Sequence, residues 1–134
     1  MSNIKLNPKY VPLFKGDTRY YIITGGRGSG KSYGVTLFLN NLTYEKDHKV
    51  LFTRYTMASA HSSIIPEFVD KIDIMGVQDD FRVTRDEIVN QTTDSAIMFK
   101  GIKTASGNQT AALKSLANVS TFVVDEAEEL VDEE

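Results

Sequence analysis

Cysteine and tryptophan are absent from this 134-residue chain, and proline occurs three times. Without cysteine there is neither a disulfide framework nor a thiolate metal site, and secretion gains no support. Long apolar runs are also missing. Nowhere do about 18 apolar residues follow one another, and MSNIKLNPKYVPLF at the start has no uninterrupted apolar segment of signal-peptide length. These absences predict an intracellular protein that is neither exported nor inserted in a membrane. No internal repeat stands out, and no basic patch interleaved with aromatics marks a nucleic-acid surface. The two histidines, His48 and His61, have no companions at ligand spacing, and both are expected to face solvent.

The length suits one domain or part of one, and 41% hydrophobic content supports an ordinary soluble core. The net charge of -3 is unevenly spread: residues 125–134 carry seven acids and no base, leaving 11 acids against 15 bases before them. That body, at about +4, permits a polyanion partner without demanding one.

Two kinds of periodicity alternate along the chain. YYIIT (20–24) is aromatic and β-branched and runs into glycines, which predicts a buried strand ending at a turn. Val35, Phe38, Leu39 and Leu42 then form the stripe of a helix beginning near Lys31. VLFTRY (Val50 to Tyr55) reads as a second strand, and Ile65, Phe68, Val69 and Ile72 as a second helix with Gly76 as its stop. This rhythm predicts an α/β domain with a mainly parallel sheet flanked by helices. FRVT, EIVN and SAIMFKGI suggest a small antiparallel excursion beside that sheet. Residues 104–118 give a weaker helical signal around Ala111 to Leu116, and TFVV (Thr121 to Val124) runs apolar into Asp125-Glu126.

Between the first strand and helix, Gly25-Gly26-Arg27-Gly28-Ser29-Gly30-Lys31-Ser32 satisfies G-x-x-x-x-G-K-[ST] in full. Glycines let main-chain N–H groups curl around phosphate oxygens, and the following helix turns its positive end toward the same anion. Lys31 would bridge the β- and γ-phosphates of a nucleotide, and the Ser32 hydroxyl would ligate Mg²⁺. With glycine near ~7% of residues, a chance match in a chain this long arises on the order of once in a few hundred tries.

Such a loop needs a second carboxylate from another strand end, and Asp125 supplies one for the Mg²⁺ shell. Glu126, one residue on, is placed to polarise a water for in-line attack on the γ-phosphate. That pairing favours a hydrolase over a nucleotide kinase. The later acids, Glu128, Glu129, Asp132, Glu133 and Glu134, read as a solvated face. Arg27 either reaches transition-state phosphate oxygens, as an arginine finger does, or pairs with a carboxylate and orders the loop. Arg54 is a candidate for relaying nucleotide state, with a surface position the favoured reading. Tyr10, Phe14, Tyr20 and Tyr21 could include an adenine-stacking residue, although core packing suits Tyr21 better.

GGRGSGKS, LFTRYT, SAIMFKGI, LKSLANVS and FVVDEAEEL together resemble the ATPase domain of tailed-phage large terminase subunits, the DNA-packaging motors. The resemblance covers nearly the whole chain. It implies an additional-strand P-loop NTPase fold of the RecA/helicase kind. By it, residues 25–32 bind nucleotide, Lys31 and Ser32 engage ATP and Mg²⁺, Asp125 completes the metal shell, Glu126 is the catalytic carboxylate and Arg27 holds the place of the arginine finger. Implied partners are double-stranded DNA, a portal protein, a small terminase subunit and further copies in a ring, all in the bacterial host cytoplasm. Such proteins continue past the acidic box into further strands and a nuclease domain. Residues 1–134 are therefore expected to be the N-terminal part of the ATPase domain, short of the middle of its sheet. A DEAx-type helicase, from Asp125-Glu126-Ala127-Glu128, and a nucleotide-binding assembly fragment without turnover are the competing expectations.

Overall fold

The computed structural model describes residues 4–26, 30–102 and 118–127. Strands β1 (Lys49–Arg54), β2 (Phe81–Val83), β3 (Glu87–Asn90), β4 (Ser95–Gly101) and β5 (Thr121–Val124) make one sheet in the order β2-β3-β4-β1-β5. β1 is parallel to both β4 and β5, while β2, β3 and β4 pair antiparallel in succession. The chain is thus α/β with a mixed sheet. The expected antiparallel excursion exists in β2 and β3, but SAIMFKGI belongs to the main sheet as the parallel neighbour of β1.

The helices are α1 (Lys31–Leu42), the short α2 (Met57–Ser59) and α3 (Ile65–Met75), with a π-helical turn, Ala60–Ile64, joining the last two. A 3-10 segment, Pro8–Lys15, precedes them. α3 stops at Gly76, whose φ of +71° is a left-handed conformation that glycine adopts without a Cβ penalty.

The core lies on one sheet face. Val50 and Phe52 of β1, Ile88 of β3, and Ile97 and Phe99 of β4 meet Leu39 of α1 and Phe68 and Ile72 of α3. Phe52, Phe68 and Phe99 form a closed trio, with ring centroids 5.4 to 5.7 Å apart and tilted or edge-on. Such pairs add about 0.5–1.5 kcal/mol each beyond their buried area. The buried Asn40 Nδ2 donates to the Phe68 carbonyl at 3.0 Å and ties α1 to α3.

One sequence expectation fails here. Residues 20–24 form no strand, and Ile22 is 92% exposed. A strand needs a hydrogen-bonded neighbour as well as β-forming side chains, and residues 20–24 pair with none of the five strands of the described sheet. Tyr21, expected in the core, is exposed for the same reason.

Candidate functional site

The site is built from two turns. In the first, Gly25 and Gly26 are exposed, Gly30 sits at φ +80° and α1 begins at Lys31. Arg27, Gly28 and Ser29 lie outside the described residues. Among the described residues no side chain caps α1, and its first turn carries no acid, which suits an anion at its first-turn N–H groups. Lys31 Nζ donates to the Gly25 carbonyl at 3.4 Å, which folds the lysine back over its own loop. Ser32 is exposed.

Gly34, one turn into α1, lies against the buried ring of Tyr10. Tyr10 is therefore part of the packing that anchors the start of α1. A cleft of about 250 Å³ runs beside it, bounded by Pro12, Leu13, Tyr21, Ile22 and Thr24, immediately before Gly25.

The second turn follows β5. Parallel register sets Thr53 opposite Val124, so Arg54 and Asp125 emerge at the same sheet end, and the Asp125 N–H donates to the Thr53 carbonyl at 2.9 Å. Arg54 is 8% exposed, which overturns its expected surface position. Its Nε donates to Asp125 Oδ2 at 2.6 Å, Nη2 to Glu126 Oε1 at 3.3 Å and Nη1 to Ser63 Oγ at 2.7 Å. Glu126 turns the chain at φ +54°, a left-handed conformation that a residue with a Cβ seldom adopts.

The connection after α1 meets the opposite sheet end: the Thr43 carbonyl accepts from Thr93 Oγ1 at 2.6 Å, and the Glu45 carbonyl accepts from Ser95 Oγ at the start of β4. α1 consequently runs back along the sheet, and its first turn faces the end bearing Arg54 and Asp125. At the far end His48 is largely buried, contrary to expectation, with Nε2 2.7 Å from Thr121 Oγ1 and Nδ1 3.1 Å from Glu45 Oε2. His61 is partly buried, 3.7 Å from Asp86.

The structure thus brings Asp125 and Glu126 together through Arg54, while Lys31 reaches Gly25. Asp125, directly after β5, and Ser32, in the first turn of α1, are both hard oxygen donors. Among the described residues no three acidic or histidine side chains form a metal cage. A Ser-Asp pair suits Mg²⁺, which keeps its waters and takes substrate phosphates with one or two protein ligands. The Arg54 clamp had one sequence signal: two strands, LFTR and FVVD, ending in opposite charges. Ser63 had none.

No described helix is long and apolar enough to cross a membrane. A family model described as phage terminase large subunit matches residues 17–134. No curated protein matches the chain.

Proposed function

This chain belongs to the phage terminase large subunit family, and from that membership we propose that it is an ATPase whose turnover drives double-stranded viral DNA into a procapsid. The observation that carries this reading is the fixed pair of carboxylates at the sheet end toward which α1, led by G-x-x-x-x-G-K-S, turns its first turn. In this reading the fold is that of an additional-strand P-loop NTPase. Main-chain amides of residues 25–30 and the Lys31 ammonium bind the ATP phosphates, and Arg27 adds charge where it builds in the transition state. The purine is assigned to the cleft beside Tyr21 and Ile22, whose walls combine apolar side chains with Lys9 and Thr24.

Ser32 and Asp125 hold Mg²⁺, which neutralises phosphate charge when bound. Glu126 accepts a proton from the attacking water as its oxygen bonds to the γ-phosphorus and ADP departs. Portal protein, small terminase subunit and further copies in a ring are the partners this role requires, in the cytoplasm of the host.

Two substitutions in the intact protein test the assignment. Glu126→Gln should keep nucleotide binding and lower hydrolysis by about 10²–10⁴-fold, whereas Lys31→Ala should lose binding. An unchanged rate in Glu126→Gln would falsify the catalytic role of that carboxylate.

A further inference from the structure

We infer that Arg54 is a positioning residue for Asp125 and Glu126, and that Ser63, on the π-helical turn Ala60–Ile64, sets where the Arg54 guanidinium sits. The inference deepens the ATPase reading and rests on it.

The geometry is specific to arginine. A guanidinium is a planar fork whose donors hold fixed directions, whereas an ammonium is a point charge on a flexible stem. Here all three nitrogens are used: Nε on Asp125, Nη2 on Glu126, Nη1 on Ser63. The 2.6 Å contact to Asp125 is at the short end of charge-assisted hydrogen bonds. Because the arginine is buried, its plane is set by its surroundings, and the two carboxylates inherit that setting. Glu126 has a further need for the tether, since its main chain holds a conformation that its own Cβ disfavours.

Ser63 is the third point that fixes the plane. Its turn has π-helical geometry, which is rare and concentrated at functional sites. The same turn continues into α3, where Lys71 is buried with its ammonium 4.6 Å from the centroid of the Tyr33 ring. Tyr33 lies two residues beyond Lys31 in the first turn of α1. The acidic pair and the phosphate-loop helix are therefore attached to the same helix by two different cations, Arg54 at its entry and Lys71 further along.

Five proteins decide the matter: wild type, Arg54→Lys, Ser63→Ala, Ser63→Thr and the double variant with Ser63→Ala in the Arg54→Lys background, each in the intact protein. The readouts are kcat, KM for ATP, and the Mg²⁺ concentration giving half-maximal binding of a fluorescent ATP analogue. Arg54→Lys keeps the charge and loses the fork. It should lower kcat by about 10–100-fold and raise the Mg²⁺ requirement by a similar factor, the usual effect of losing a group that orients a metal ligand. KM for ATP should move by less than about threefold, since the described partners of the Arg54 guanidinium are Asp125, Glu126 and Ser63.

Ser63 lies at the surface, so its loss leaves the fold intact. Ser63→Ala should shift kcat and the Mg²⁺ requirement the same way by a smaller factor, Ser63→Thr should restore both, and Ser63→Ala should have no effect once Arg54 is Lys. An Arg54→Lys protein with wild-type kcat and Mg²⁺ requirement overturns the inference and leaves the ATPase reading standing. So does a Ser63→Ala effect that persists undiminished in the Arg54→Lys background. A wild type that neither binds nor hydrolyses ATP overturns the ATPase reading and this inference with it.

Discussion

Replacing Gly34 with alanine sets two effects of opposite sign against each other. Alanine is favoured over glycine inside a helix by about 1 kcal/mol, so on α1 alone the change should stabilise. The Tyr10 ring opposes it. A Cβ on residue 34 would lie 2.8 Å from both Cγ and Cδ2 of Tyr10 and 3.2 Å from its Cβ, where ordinary contact begins at 3.4 Å. The ring must therefore retreat by at least roughly 0.6 Å, and rotation about χ angles cannot achieve this because Cβ itself is crowded. The 3-10 segment has to move, and overpacking of this kind costs about 1–3 kcal/mol.

The balance is a net loss of about 1 kcal/mol for Gly34→Ala, measured by urea unfolding followed by circular dichroism. In a Tyr10→Ala background the two 2.8 Å ring contacts are gone and only the 3.2 Å contact to Cβ remains, so Gly34→Ala should stabilise by up to about 1 kcal/mol. The sign reversal is the signature, with a coupling of about 1–3 kcal/mol. Equal stabilisation in both backgrounds would refute the argument, because the ring would then be no constraint on α1.

Gly101→Ala should be harder to accommodate, since its Cβ would stand 2.7 Å from the main-chain nitrogen of Met57. We expect a loss of about 2–3 kcal/mol in thermal unfolding. Asn40→Ala removes the buried donor to the Phe68 carbonyl and should cost about 1–3 kcal/mol, while Asn40→Asp, which turns an acceptor toward that carbonyl, should cost more. Burial, and then the Asp80 carboxylate that accepts from its hydroxyl at 2.8 Å, push the Tyr44 phenol above the usual tyrosine range. Its stabilisation is complete below pH 10.0, the unperturbed tyrosine value, and is lost as pH rises beyond it, because only the unfolded phenol then ionises. Tyrosinate absorbance should keep rising after free tyrosine is fully ionised, and Tyr44→Phe should remove that last step.

Local pattern revealed the elements whose side chains obey one period and whose ends are marked nearby. α3 is an example, with its stripe from Ile65 to Ile72 and its glycine stop. β1 and β5 were legible as β-branched or aromatic runs. YYIIT has the same composition, yet composition does not say whether a neighbouring strand is available to pair. SAIMFKGI failed in the other direction: its parallel partner lies more than 40 residues earlier, so nothing local announced that it would enter the main sheet.

The site followed the same division. The phosphate-loop motif and the Asp-Glu pair are contiguous in sequence and can be read there, although Arg27, Gly28, Ser29 and the expected helix around Ala111 to Leu116 fall outside the described residues. Arg54 looked like a solvated side chain because its two carboxylate partners are 71 and 72 positions away, and His48 because Thr121 is 73 away. A charged side chain is assigned to water by default when its counterion is remote in sequence, and only strand register brings the two together.

The pairing of β5 with β1 also fixes an order of events during synthesis. The β2-β3-β4-β1 part of the sheet is complete in sequence once Gly101 has been made. β5 follows roughly 20 residues later, a delay of about 1–5 s at ribosomal rates of about 5–20 residues per second. Throughout that interval Arg54 has been translated and neither carboxylate has. The cation is made first and the anions follow it, so the pairing of β5 with β1 is the step that delivers both carboxylates to the arginine.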